Sequence, residues 1–280
     1  ALLGATPRIV EIKDTARITP ELLQMLELRP PEGYHLRFTR FTGQIREWQK
    51  LKPFARKLAG LSFDNCPHFQ PWILKQISFP RHLRTLDISF CPLVDAGMLY
   101  LTPYRGLESL TIVGTRITDA GIGRIAAFTN LVYLRLGKNH SLTGRALALL
   151  SPLKNLRKLY LWETGIRGED LGMLAAFPRL TDLSVAKLIR GRGMEHLAAL
   201  SGLRFLDAGN NDIRNDDLRH LLPMKQLGFL NLSWCTIDDG AVPQLARLRG
   251  LTTLFLNETR ITPAGIARLQ AALPGCRIFK

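Results

Sequence analysis

An apolar triplet of the form LxxLxL recurs along the chain at a nearly fixed interval. It stands at Leu58-Leu61-Phe63, Leu83-Leu86-Ile88, Leu107-Leu110-Ile112, Leu131-Leu134-Leu136, Leu156-Leu159-Leu161, Leu180-Leu183-Val185, Leu203-Leu206-Ala208, Leu227-Leu230-Leu232 and Leu251-Leu254-Leu256. Successive triplets begin 25, 24, 24, 25, 24, 23, 24 and 24 residues apart. A register held this tightly marks a stacked-repeat architecture. It overrides the two ordinary domains that 280 residues would otherwise suggest. Within each triplet the apolar residues fall on one face of a short strand, and the residues between them face the other way. Three residues after the triplet comes a small polar residue: Cys66, Cys91, Thr115, Asn139, Thr164, Asn211, Cys235 and Thr259, with Leu188 the exception. Its expected task is to satisfy backbone groups buried by the turn. An apolar residue such as Ile117, Ile166 or Ile261 follows, then an amphipathic stretch expected to be helical. Thr19-Pro20 and Thr262-Pro263 each offer an N-cap followed by Pro at the first helical position. Gly97, Gly121 and Gly265 are expected to let a helix approach its neighbour closely. No repeat can bury its leucines alone, so stability must come from the interfaces between repeats.

The pattern LxxLxLxx(N/C/T)xI(T)xxG resembles the leucine-rich repeat family. It is most similar to the bacterial type with repeats of 24 residues, which includes the plant-pathogen effectors called GALA proteins, and to the cysteine-containing repeats of F-box substrate receptors. The resemblance covers at least residues 58–275. It implies an α/β solenoid, or horseshoe, with a parallel concave β-sheet and short helices on the convex side. It also implies a protein-binding role without catalysis, as an effector or scaffold.

The ends are less regular. Residues 1–57 are expected to form an N-terminal cap of degenerate repeats, residues 58–272 the regular repeats and residues 273–280 a C-terminal cap strand. Within the first part, Ile9-Val10-Glu11-Ile12 would be one strand. Leu36 and Phe38 would point inward from a second, followed by a helix around residues 46–54. The string ITPELLQMLELRPPEGY also resembles the opening of an F-box, which would make the chain part of a ubiquitin-ligase assembly. An F-box needs three helices, and YHLRFTRF alternates like a strand.

Hydrophobic residues make up 46% and charged residues 22%, which excludes a disordered or collagen-like chain. No apolar run approaches a membrane span. ALLGATPRIV carries no secretion signal of the usual kind, and the missing Met suits a fragment or a processed chain. The four cysteines lack zinc-site or disulfide-scaffold spacing. Cys66, Cys91 and Cys235 share the turn position with Asn139 and Asn211, which suits reduced thiols and a cytoplasmic setting, in a bacterium or a host. The six histidines share no metal-ligand spacing. There is no GxSxG, and Gly191-Arg192-Gly193 lacks the third glycine of a dinucleotide loop. No catalytic residue, metal or cofactor is expected. Sequons at Asn139, Asn231 and Asn257 are read as accidental.

Function is expected on the outward strand face. The two outward strand columns and the two positions after the triplet change character along the chain. The early repeats present small and polar residues, and from Tyr133 onward the face turns aromatic and charged. Tyr133, Tyr160, Trp162, Phe205, Phe229, Trp234 and Phe255 are all expected to face solvent, with Arg135, Lys138, Lys158, Lys187 and Asp207 among them. Large aromatics beside basic groups form a typical protein-binding surface, here for a partner with acidic and apolar character. The alternative is that the aromatics only pack on one another to stiffen the sheet. The 38 Lys and Arg against 23 Asp and Glu give a net charge of +15. Part of it forms an edge stripe of Lys57, Arg81, Arg105, Lys154, Arg179, Lys225 and Arg249, read as solubilising or as a ridge for anionic partners. Nucleic acid is disfavoured because no recognition module is visible. A monomer is expected.

Overall fold

The fold was analysed in a computed structural model that describes residues 8–28, 33–77, 82–190 and 192–280. Arg81 and Gly191, named above, lie outside the described residues. The chain divides into two compact units, residues 1–135 and 136–280.

The first unit holds strands β1 (Arg8–Lys13), β2 (Tyr34–Thr39), β3 (Leu58–Asp64), β4 (Thr85–Ser89), β5 (Ser109–Thr111) and β6 (Tyr133–Arg135). Each pairs in parallel with the next. The second unit repeats the scheme with β7 (Lys158–Tyr160), β8 (Asp182–Ser184), β9 (Phe205–Asp207), β10 (Phe229–Asn231), β11 (Thr253–Phe255) and β12 (Arg277–Phe279). Parallel neighbours require a crossover, and here a short helical segment supplies each return. The triplet leucines are inward as the spacing predicts: Leu86, Leu110, Leu159, Leu183, Leu206, Leu230 and Leu254 are wholly buried. Burying one such side chain stabilises by about 1.5–3 kcal/mol.

The returns are less α-helical than the amphipathic pattern suggests. Residues Pro20–Glu27, Gly144–Leu150 and Pro263–Ala272 are α-helical, whereas Asp95–Leu101, Gly168–Ala176 and Asn215–Leu221 are 3-10 helices. A 3-10 turn rises about 2.0 Å per residue against 1.5 Å, so it covers the return with fewer residues.

In the N-terminal stretch the two expected strands are present, and Leu36 and Phe38 are wholly buried. Phe38 meets Phe41, Trp48 and Phe63 in an aromatic core. The helix expected around residues 46–54 is split into Ile45–Gln49 and a 3-10 run Lys52–Lys57, because Pro53 cannot donate a helical hydrogen bond. Over the described residues up to 57 this alternation of strand and helix overturns the F-box alternative, which needs three helices in place of β1 and β2.

The turn leaving each strand carries a feature that the spacing alone did not reveal. The second residue after the triplet has a positive φ at Asn65, Phe90 and Gly114 in the first unit, and at Lys138, Glu163, Lys187, Asn210, Trp234 and Glu258 in the second. The backbone N–H at this position donates to the next repeat, as Asn210 does to Ser233 (2.7 Å) and Trp234 to Asn257 (2.8 Å). The polar residue that follows satisfies the turn as expected. Asn211 Nδ2 donates to the Val185 and Ala208 carbonyls (3.1 and 2.8 Å), and its Oδ1 accepts from Ile189 N–H (2.8 Å). The Cys235 thiol donates to the Ala208 carbonyl (3.4 Å), and all four cysteines are free and buried.

Candidate functional site

The outward residues of the second unit form two side-by-side systems. One is a ladder of rings. Phe205 stacks on Phe229 (centroids 4.2 Å, planes 11° apart), and Phe255 stacks on Phe279 (4.5 Å, 9°). Tilted contacts join Tyr160 to Phe205 (6.3 Å) and Phe229 to Phe255 (5.5 Å). Parallel strands lie about 4.8 Å apart, so rings at one register fall into stacking distance. The seven aromatics expected on the outward face differ in how much of each ring the neighbouring strands cover. Trp234 is 61% exposed, whereas Tyr133, Tyr160, Trp162, Phe205, Phe229 and Phe255 are half-buried. Phe279 joins the ladder through its register with Phe255.

The other system is polar. Asp207 accepts from Ser184 Oγ (2.9 Å), Asn231 Nδ2 (2.8 Å) and Gly209 N–H (3.3 Å). Asn231 Oδ1 accepts from Ser233 N–H (3.0 Å). The cations expected on this face are partly neutralised. Lys158 pairs with Asp182 (3.0 Å) and Lys187 with Glu163 (2.7 Å), which holds the Glu163 carboxyl below the usual carboxylate range. Lys138 is exposed at its left-handed turn. Tyr133 and Arg135 belong to β6 of the first unit, where both are half-buried, so the sequence-predicted set is divided between the two units.

Between the two tryptophans of the second unit lies a shallow well of about 160 Å³. Its base includes the small residues Ala186, Gly209 and Ser233. Asp207 and Asn231 line it, as do Glu163 and Lys187. The Trp162 indole covers Gly137, where any Cβ would overlap the ring. Sequence reasoning found the tryptophans but not the small residues that make room between them, although these stand in the same column after the triplet as Trp162. The well offers indole surface to an apolar or planar group, with hydrogen-bonded polar side chains beside it.

The edge stripe also acquires structural partners. Lys57 Nζ donates to the carbonyls of Leu26 and Glu27 (3.2 Å each), at the end of the helix Pro20–Glu27. Lys154 Nζ donates to the Ala176 carbonyl (3.0 Å), and Arg179 to Asn155 Oδ1 (2.6 Å). Among the described residues, no group of three or more His, Cys, Asp or Glu is placed to hold a metal, and no helix is long and apolar enough to cross a membrane.

A family model described as Leucine Rich repeat matches residues 79–101. Comparison with curated protein sequences finds no match. Among solved structures, the chain is similar to an internalin (inlF) of Listeria monocytogenes, with a TM-score of 0.58 and 18% identity over 97% of this chain and 86% of that one. It is also similar to internalin C2 of the same species, with a TM-score of 0.51 and 23% identity over 66% of this chain and 75% of that one. At such identities the likeness carries the fold and not the function. Register, parallel strand order and these likenesses agree: the chain has the leucine-rich-repeat fold.

Proposed function

We propose that the chain is a non-enzymatic protein-interaction module, and that the partner is held on the open sheet face of the second unit with the well between Trp162 and Trp234 as its anchor. The observation that carries this reading is Trp234 itself. The turn at φ 63° serves the stack whatever residue occupies it, but a bulky residue there is conformationally costly, and at 61% exposed Trp234 gains little from the core in return. Tyr160, Phe205, Phe229 and Phe255 then act as a preorganised platform, and the remaining members of the set, Lys138, Lys158, Lys187 and Asp207, set register at the rim. Tyr133 and Arg135 are outward residues of the first unit and are not counted in this anchor. The partner surface would be apolar with acidic flanks. Four free buried thiols suit a reducing cytosol, bacterial or host, where a scaffold or effector would act.

The test compares wild type with the double variant Trp162→Ala plus Trp234→Ala in a pull-down, followed by a direct titration with the partner recovered. A retained cooperative melting transition with at least about a tenfold loss of affinity is expected for two anchor residues. Undiminished binding by the folded variant would refute the site.

A further inference from the structure

The repeat that contains β8 departs from its neighbours. Leu188 stands where the others place Cys, Asn or Thr, and the next triplet comes after only 23 residues. The helix Met194–Leu197 begins after Gly193, at φ 154°, where the helices at Asp119, Gly144 and Pro263 have a Thr cap. Gly168 of the preceding repeat permits this path, since a Cβ there would overlap the Arg192 carbonyl oxygen. The backbone under Arg192 is thus fixed against the neighbouring repeat.

Beside this irregularity opens a cleft of about 590 Å³ that Arg167, Lys187, Arg190 and Arg192 line, with Glu169 as its carboxylate. Lys187 is paired with Glu163, and Arg167 lies 3.6 Å from Glu169. Arg190 and Arg192 are exposed and have no carboxylate within ion-pair distance among the described residues. The cleft therefore keeps two uncompensated positive charges. It adjoins the tryptophan well: Lys187 borders both, and a smaller depression that shares residues with each is lined by Lys187, Arg190 and Trp234, with Asp212 as its one carboxylate.

We infer that this cleft binds an extended acidic peptide, a run of Asp or Glu side chains in the protein partner, which continues from the residue seated in the well. The inference rests on the proposed protein-binding role and names the chemistry of a second subsite. Charge complementarity selects the occupant. The guanidinium groups sit on separate exposed side chains around a wide opening. Carboxylates on one face of an extended chain recur at every second residue, about 6.6 Å apart at about 3.3 Å per residue, and can satisfy them together, whereas one small anion reaches only one or two.

A fluorescein-labelled octaglutamate peptide tests this by anisotropy at low ionic strength, where charge contacts are least screened. Arg190→Glu plus Arg192→Glu should weaken binding by about tenfold or more. Lys225→Glu plus Arg249→Glu, an equal charge change on the edge stripe, should weaken it by less than about threefold. Arg190→Gln plus Arg192→Gln serves if the reversed pair does not fold. Equal losses in the cleft and edge variants overturn the inference, as does wild-type protein that ignores the peptide or releases it to an equal concentration of inorganic phosphate. The peptide has no apolar side chain, so Trp162→Ala, which removes a wall of the well and lines neither the cleft nor the smaller depression, should cost it less than about threefold. Failure of the cleft and failure of the well thus appear in different variants.

Discussion

Trp234 and Asp87 show how a repeat position fixes where a side chain goes while its neighbours decide what it does. Relieving the left-handed strain at Trp234 by Trp234→Asn should raise stability by about 0.5–1 kcal/mol, since Asn tolerates that conformation. The same change should weaken partner binding. Urea titration paired with a binding titration checks both, and a variant that is no more stable would remove the strain argument. Asp87, an outward residue of β4, was legible only as part of a polar column. Burial pushes its carboxyl up to about 6, although Ser89 Oγ donates to it (2.5 Å) and the Arg135 charge pulls the other way. Between about pH 4 and 6 the folded state then holds more protons than the unfolded chain, so this group's contribution falls as pH rises through that window and is flat above it. Asp87→Asn should remove that loss, leaving the variant about 1–2 kcal/mol more stable than wild type at pH 7.5 and nearly equal to it at pH 4, allowing for partial screening. Urea midpoints at the two pH values measure the difference, and one that does not change with pH would contradict the assignment. No spacing rule could have given this shift, because Asp64 and Arg135, which act on it, come from other repeats.

Strands were the most readable elements, since alternate burial of a triplet repeated at 24 residues leaves one register open. The returns were less readable: α and 3-10 helix share the same apolar spacing over one turn, and the choice depends on how far the stack requires the chain to travel. The link between successive returns was hidden as well. Asp95 accepts from Thr118 N–H (2.8 Å) and Thr118 Oγ1 (2.6 Å), and Asp239 accepts from Thr262 in the same way (2.8 and 2.7 Å). Each bridge joins a helix start to the N-cap of the next repeat. Gly121 makes room for the first, because a Cβ there would overlap Asp95 Oδ1. Gly121→Ala should therefore cost about 2–3 kcal/mol, as a displaced carboxylate leaves part-buried donors unmet. Gly275→Ala, where a Cβ would meet nothing within 4 Å, should be close to neutral. Chemical denaturation of the two variants side by side separates crowding from any general effect of losing a glycine, and equal costs would show that the bridge is not the cause.

Stacked repeats distribute stability over neighbour contacts instead of concentrating it in one centre, so a repeat with one neighbour should open before a repeat with two. The second unit carries its own reporters of this order. Cys235 lies between β10 and β11 with a repeat on either side, and burial pushes its thiol up to about 11. Cys276 immediately precedes β12, which among the described residues pairs with β11 alone, and burial raises its thiol too. Both are free and nearly inaccessible, so in the folded chain at pH 8 neither should react quickly with a thiol reagent, since the thiolate is the reactive form. In rising urea the two should part. Cys276 should become labelled at a lower concentration, when the last strand peels away, and Cys235 only when the stack around it opens. Pulsed alkylation followed by peptide mass spectrometry reads each cysteine separately. Coincident midpoints would mean that the last repeat is bound as tightly as the inner ones and that the second unit opens as one cooperative block. Partner binding gives the same experiment a second use. A ligand seated between Trp162 and Trp234 stabilises only the folded form, so it should shift the Cys235 midpoint upward by mass action while leaving the first loss at Cys276 nearly in place.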